Sequence, residues 1–324
     1  MLANSSSSSL PRPRLGISAC LLGDEVRYNG GHKESRLCSQ TFAEHFDFVR
    51  VCPEMAIGLG TPREPIRLVG DSQAPRAVGT VDPSLDVTAA LTRYGEKMAG
   101  ELTDLSGFIF MQKSPSCGME RVKVYHANGQ GSETDGRGLF AAAIMRLRPD
   151  LPVEEAGRLN DPVLRENFVT RVFAHAHWLQ LMQQGLTARA LLSYHSRYKY
   201  QLMAHDAHRA RALGQLVGSI GQRNLDELGQ EYFSGLMAAL KKCATRGTHC
   251  NVLYHLFGYL RRVLSDSEKQ EMQQLIEQYH EGVVPLVVPL TLLKHHFRQH
   301  PDRYVNEQAY LQPHPERLSL RNAI

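Results

Sequence analysis

Three short apolar runs in the first half of the chain end at or just before a cysteine, each beside a residue that bends the backbone. Residues 15–19 run into Cys20, with Gly23 close behind. Residues 48–51 run into Cys52, followed by Pro53. Residues 108–111 run into Lys113-Ser114-Pro115-Ser116-Cys117-Gly118. A buried strand that stops in such a loop delivers its last side chains to the C-terminal edge of a sheet, where open α/β sheets bind ligands. Unrelated core cysteines are the plainer alternative, since free Cys is often buried. The repetition at three strand ends argues against it.

The rest of the first half fits an α/β domain with a Rossmann-like open sheet. Residues 66–69 and 77–80 read as short strands around a turn. Asp82-Pro83 reads as the start of a helix, with Asp82 as N-cap, Pro83 at the first helical position and an apolar stripe of Leu91, Tyr94, Met98 and Leu102. That helix returns the chain to the strand at Gly107, a β-α-β crossover. Residues 122–125 alternate as a strand. The glycine-rich stretch 128–138 reads as a mobile loop. Pro149, Pro152 and Pro162 punctuate the exit, and we place the domain boundary at 160/161, after a disordered lead-in over residues 1–13.

From residue 161 to 324 the pattern is all-α. Residues 189–217 read as one long helix broken by Gly214 or Gly218. Ser265 and Glu268 form a capping box ahead of a stripe of Met272, Leu275, Ile276 and Tyr279. The charge is asymmetric: residues 1–164 hold 18 Lys+Arg against 20 Asp+Glu, residues 165–324 hold 19 against 13, and twelve of the fifteen His lie in the second half. A basic, His-rich half suits a polyanion partner. One basic cluster is Arg197, Lys199, Arg209 and Arg211, interleaved with Tyr194, Tyr198 and Tyr200, which could stack bases, although core packing is the commoner role for an aromatic on a helix. Another is Lys241, Lys242, Arg246, Arg261 and Arg262. No apolar run reaches the ~20 residues that span a membrane, and the N-terminus has no signal-like apolar core, so a cytoplasmic protein with reduced cysteines is expected.

Three scattered cysteines lack the paired Cys-x-x-Cys knuckles of a zinc ribbon. They suit an iron–sulfur cluster on three thiolates, whose fourth iron is left open as a Lewis acid with strong sulfur affinity. Glu54, two residues after Cys52, is placed to act as general acid or base. Ser114 and Ser116 are candidate hydrogen-bonding groups. Arg27, Arg63 and Lys113 are candidate substrate-binding cations. No Gly-x-x-x-x-Gly-Lys-Ser/Thr phosphate loop occurs, which counts against nucleotide-activated sulfur insertion.

These residues resemble a known family. Ser18-Ala-Cys-Leu-Leu-Gly23 with Arg27-Tyr-Asn-Gly30, Val51-Cys-Pro-Glu54 with Thr61-Pro-Arg-Glu-Pro65, and Lys113-Ser-Pro-Ser-Cys-Gly118 are similar to the motifs of the thiouracil desulfidase family, formerly DUF523. Tyr198-Lys-Tyr-Gln-Leu-Met-Ala-His-Asp206 and Ala210-Arg-Ala-Leu-Gly214 resemble a DUF1722 domain. The fusion resembles RudS-type desulfidases that act on 4-thiouridine in tRNA. The resemblance implies a 4Fe–4S cluster on Cys20, Cys52 and Cys117, Glu54 as catalytic carboxylate and Ser114 as active-site serine. It implies exchange of thiocarbonyl sulfur for water oxygen, with release of hydrosulfide and no net redox change. Val26 stands where some relatives carry a cysteine. Cys38, Cys243 and Cys250 are left unassigned. Free thiouracil as substrate, tRNA sulfur insertion, and an RNA-binding protein with a structural metal are the competing expectations.

Overall fold

The computed structural model describes residues 12–126 and 131–324. Most of the 1–13 lead-in and part of the 128–138 stretch therefore lie outside the described residues. The chain divides into two compact units, Met1–Arg158 and Leu159–Ile324.

The first unit is built on a four-stranded parallel sheet. β1 (Arg14–Ser18) pairs with β2 (Asp47–Val51), which leads into the one-turn helix α1 (Pro53–Ala56). A hairpin follows, β3 (Ile66–Val69) and β4 (Arg76–Gly79), then helix α2 (Thr88–Glu101). β5 (Gly107–Phe110) returns to the other side of β1. β6 (Val122–Tyr125) and β7 (Ser132–Gly136) form a second hairpin, α3 (Leu139–Leu147) packs beneath, and β8 (Val153–Glu155) closes the parallel sheet beside β5. The strand order is β2-β1-β5-β8, while β4-β3-β6-β7 makes a separate mixed sheet. The order reverses about β1, and such a switch point opens a crevice at the carboxyl ends of the strands. Phe108, Phe110 and Phe140 fill the space between sheet and helices, with Phe108 stacked on Phe110 at 4.4 Å.

Two expectations for this unit need correction. The helix starts at Thr88, not Pro83; Asp82 instead accepts from the backbone N–H and hydroxyl of Ser84, closing a turn. Within 128–138, residues 132–136 are a strand paired with β6 rather than a loop. The pairing was hidden because Ser-Glu-Thr-Asp-Gly is polar throughout, with its first four residues exposed.

The second unit is helical: α4 (Pro162–Gln183), α5 (Ala188–His205), α6 (Ala207–Gly218), α7 (Leu225–Leu240), α8 (Arg246–Leu260), α9 (Asp266–His280), α10 (Val287–Gln299) and the short α11 (Arg303–Asn306). The helix read over 189–217 is broken at Asp206 and not at Gly214, and its second part, α6, ends at Gly218, one of the two expected positions. Asp206 leaves helical geometry (φ −154°, ψ 92°) and its carboxylate accepts from Arg209 N, capping α6. The Ser265–Glu268 capping box forms as read. Two apolar clusters fill the unit, one around Leu253, Leu256, Ile276 and Leu293, the other around Trp178, Tyr194, Tyr232 and Leu236. Among the described residues no helix is long and apolar enough to cross a membrane.

Candidate metal centre and its cleft

A cleft of about 530 Å³ opens at the carboxyl ends of β1, β2 and β5. Cys20, Cys52 and Cys117 all line it. Cys20 sits in the 3-10 turn Ala19–Leu22 that follows β1 and is turned off by Gly23 at φ 90°. Cys52 is the N-cap of α1, with Pro53 at the first helical position. Cys117 lies in the bend after β5. Its loop is fastened to the first turn of α3, whose amides at Gly138, Leu139 and Ala141 donate to the carbonyls of Gly118, Pro115 and Ser116. Gly138 is required there, because a Cβ would lie 2.5 Å from the Ser116 carbonyl carbon.

All three thiols are free. Burial pushes Cys20 up to about 11, with Cys52 adding to the effect; burial also raises Cys52 and, most strongly, Cys117. Each of the three is electrostatically coupled to Glu54. Among the described residues, no three His, Cys, Asp or Glu side chains are grouped to hold a single metal ion. Three thiolates lining one cavity can each bind a different iron of a cluster. A bound cation deprotonates a coordinating thiol and reverses the effect of burial. The donor set therefore fits a group larger than one metal atom: three soft sulfurs facing one cavity.

Glu54 lines the same cleft and is held on both oxygens. Its Oε2 accepts from Arg63 Nε at 2.9 Å and Nη2 at 2.7 Å. Its Oε1 accepts from Ser116 Oγ at 2.6 Å, and Ser116 Oγ lies 3.0 Å from Ser114 Oγ. Ser114 Oγ in turn accepts from the amides of Cys117 and Ser116. Two of the residues expected to bind substrate are engaged with Glu54. Arg63 was expected to bind substrate, but its side chain is 6% exposed and donates to Glu54, Gly60 O and Val26 O, with Met55 Sδ against Nη1. These contacts occupy the guanidinium fork, so Arg63 fixes Glu54 at the cleft wall. Ser116, at 1% exposure, is likewise committed to Glu54. Ser114, Arg27 and Lys113 line the cleft, as do Arg63 and Ser116.

The sequence reading missed three contributors. Val26 matters through its carbonyl, which accepts from Arg63 and lies 3.8 Å from Cys52 Sγ. Ser18 Oγ accepts from Met111 N, joining the ends of β1 and β5. Lys33 lines the mouth, because its amide bonds Cys20 O and folds that loop back. The Ser18-Ala-Cys20 and Gly30-Gly31 patterns were the available signals.

In the second unit, the tyrosines read as stacking groups are core: Tyr194, Tyr198 and Tyr200 are 2%, 4% and 3% exposed. Arg197 and Lys199 are exposed on α5, whereas Arg209 and Arg211 lie on α6. Lys242 Nζ bonds Asp206 at 2.5 Å and Arg209 approaches the same carboxylate at 3.8 Å, so parts of the two basic clusters meet there. Arg246 is spent on Tyr279, donating to its carbonyl at 2.8 Å with the guanidinium 5.1 Å from the ring. Lys241, Arg261 and Arg262 are exposed. Cys38 and Cys250 are buried away from the cleft, at 0% and 6% exposure.

Comparison with known proteins agrees with this architecture. Residues 15–156 match the family described as 2-thiouracil desulfurase, and residues 199–315 match DUF1722, described as a protein of unknown function. The uncharacterized protein YbgA of Escherichia coli (strain K12) is 36% identical over 49% of this chain and 94% of its own length. The uncharacterized protein YbbK of Bacillus subtilis (strain 168) is 31% identical over 40% of this chain and 87% of its own length. A solved structure described as the 4Fe-4S-dependent thiouracil desulfidase TudS aligns at 30% identity and a TM-score of 0.38, covering 46% of this chain and 94% of that one. The chain belongs to the 2-thiouracil desulfurase family through its first unit and carries a DUF1722 domain in its second.

Proposed function

We propose that this protein hydrolyses the carbon–sulfur bond of a thiolated pyrimidine, 4-thiouridine in tRNA, giving uridine and hydrosulfide without net redox change. The observation that carries the reading is the meeting of three free cysteines and one anchored carboxylate in a single cleft. Cys20, Cys52 and Cys117 would hold a 4Fe–4S cluster. Bound there, it supplies an iron without a protein ligand, a Lewis acid that favours sulfur.

The protein's own groups supply positioning and proton transfer. Arg63 and Ser116 fix Glu54 from opposite sides, so its carboxylate meets a substrate in one orientation. Glu54 takes a proton from the water that attacks the pyrimidine carbon and returns it to the departing sulfur, and the remaining hydroxyl proton passes to solvent as the carbonyl forms and hydrosulfide leaves. Ser114 supplies a hydroxyl at the cleft wall. Arg27 and Lys113 carry positive charge at the mouth, suited to the phosphates beside the target nucleotide. The target base must leave its stack to reach the cleft. The net +6 of residues 165–324 supports tRNA as partner, since a small base needs no second basic domain. Free thiouracil is the second reading, favoured by the description of the matching family.

The test is anaerobic reconstitution followed by addition of thiolated tRNA, monitoring the near-ultraviolet absorbance of 4-thiouridine together with released sulfide. Loss of the band with matching sulfide supports the reading. A persistent band with consumption of free thiouracil moves the substrate to the free base. An intact cluster with neither change rejects desulfidation.

A further inference from the structure

Between Glu231 and Asp266 the chain has no acidic residue, yet it carries five Lys or Arg and two His. Helix α8 runs through this stretch. Its inner face, including Leu253, Leu256 and Phe257, belongs to the core. Its outer face is exposed at Asn251, Tyr254, His255, Gly258 and Tyr259, the spacing of one helical stripe.

Two tyrosines on that stripe differ from the buried ones on α5. Tyr254 is 37% and Tyr259 43% exposed. Tyr259 is also backed: its ring lies 6.1 Å from Tyr304 at 30°, and its hydroxyl accepts from Tyr200 at 3.3 Å. A ring held from behind loses little rotamer freedom when something stacks on its outer side. Between the tyrosines, Gly258 leaves the surface bare, since a Cβ there would meet nothing within 4 Å. Cations stand at both ends of the helix, Lys241 and Lys242 before it and Arg261 and Arg262 after it. Lys242 pairs with Asp206, whereas Arg261 and Arg262 have no ion pair among the described residues. The acids that approach from neighbouring elements are Glu277, beside Tyr254, and Asp302, beside Tyr304. At 1.5 Å per residue, the 15 residues of α8 span roughly 22 Å, room for several nucleotides. Exposed aromatic faces flanked by cations are what single-stranded nucleic acid binds.

We propose that the outer face of α8 is where the second unit holds RNA, with Tyr254 and Tyr259 stacking on unpaired bases and Arg261 and Arg262 meeting the flanking phosphates. This rests on tRNA being the substrate. The cations of α5 and α6 are less suited, because the tyrosines among them are buried and Arg209 is drawn to Asp206.

The experiment is equilibrium binding of the full-length protein to fluorescein-labelled tRNA, read by anisotropy across a salt series. Tyr254→Ala and Tyr259→Leu should each weaken binding about five- to a hundredfold, the range for losing one stacked base. Tyr259→Phe keeps the ring and the packing on Tyr304, and should stay within about threefold of wild type. Joint reversal, Arg261→Glu with Arg262→Glu, should reduce the salt slope by about 1.4, two phosphates at ~0.7 each. Reversal of the exposed Arg317 serves as the charge control, with an expected change under about twofold. The proposal is overturned if the tyrosine and arginine variants bind like wild type, or if Arg317→Glu weakens binding as much as they do. Parallel assays of wild type on thiolated tRNA and on free thiouracil separate the two failures. A wild type that acts on tRNA while the α8 variants still bind it normally refutes this surface alone; one that ignores tRNA removes the partner and this surface with it.

Discussion

The two units bury polar groups for opposite purposes. In the first, Cys20, Cys52, Cys117 and Glu54 gather at strand ends around a cavity, with partners on one side and open space on the other. In the second, Glu166, Thr170 and Arg321 are buried among helices and bonded to one another: Glu166 Oε1 accepts from Arg321 Nε at 3.2 Å and Thr170 Oγ1 at 3.3 Å. His249 Nδ1 lies 2.9 Å from the Tyr310 hydroxyl, and Glu166 and His249 also border a smaller cavity of about 250 Å³ that no cysteine lines. The cysteines show the same contrast. Cys38 and Cys250 are raised by burial to about 11, as Cys20 is. Burial alone thus does not mark a ligand; a shared cavity does. Three thiols and a carboxylate sharing one cavity suit chemistry, while the Glu166–Arg321 pair ties a helix to the last residues of the chain.

The largest test of this contrast removes cysteines from both classes. Cys20→Ala, Cys52→Ala or Cys117→Ala should abolish bound iron and labile sulfide, whereas Cys38→Ala and Cys250→Ala should retain both and lose only stability, of the order of a small core truncation. Iron in a Cys117→Ala protein at wild-type level would break the comparison. Next in size, Glu54→Gln should keep the cluster spectrum while turnover falls about 10²–10⁴-fold, as expected for loss of an acid–base group.

Two further tests concern the second unit. Burial works to raise the Glu166 carboxyl, but the His314 ring 3.7 Å away and the charge of Arg321 outweigh it and hold the group well below the usual carboxylate range. Breaking a buried pair typically costs about 3–5 kcal/mol, so Glu166→Gln should lower the urea midpoint strongly yet leave the iron content unchanged. The smallest effect is a pH slope. Burial lowers His249 from 6.5 to about 3, so below pH 6.5 the unfolded chain binds a proton that the fold excludes. Its contribution is complete above that pH and lost as the pH falls, by up to about 1.4 kcal/mol per unit. Urea midpoints at pH 7 and 5.5 should show a shallower dependence in His249→Gln than in wild type.

How legible each feature was follows from the same physics. The strands ending at Cys20, Cys52 and Cys117 stood out because apolar runs meet bend-forming residues, and the site's main groups come with them. β8 did not stand out, since it is three residues long and two are glutamates, buried through pairing with β5 rather than through their own hydrophobicity. The commitment of Arg63 was invisible because its acceptors, Val26 O and Gly60 O, are backbone groups with no residue signature. On α5, tyrosines at 194, 198 and 200 looked available for stacking, but the helix turns them inward while Arg197 and Lys199 point out. An aromatic next to a cation in sequence is not next to it on the surface.

The fastening of the Cys117 loop to the first turn of α3 also sets a timetable. Cys20 and Cys52 emerge early in synthesis and pair as neighbours through β1 and β2. Cys117 reaches them only after β5 has crossed to the far side of β1, and its loop is braced only once Gly138 and the amides behind it have been made. Parallel pairing across such separations forms slowly. A nascent chain that has passed Cys117 but not yet Ala141 therefore carries all three sulfurs without the frame that aims them, and metal loading becomes a late step, gated by a helix that contributes no ligand.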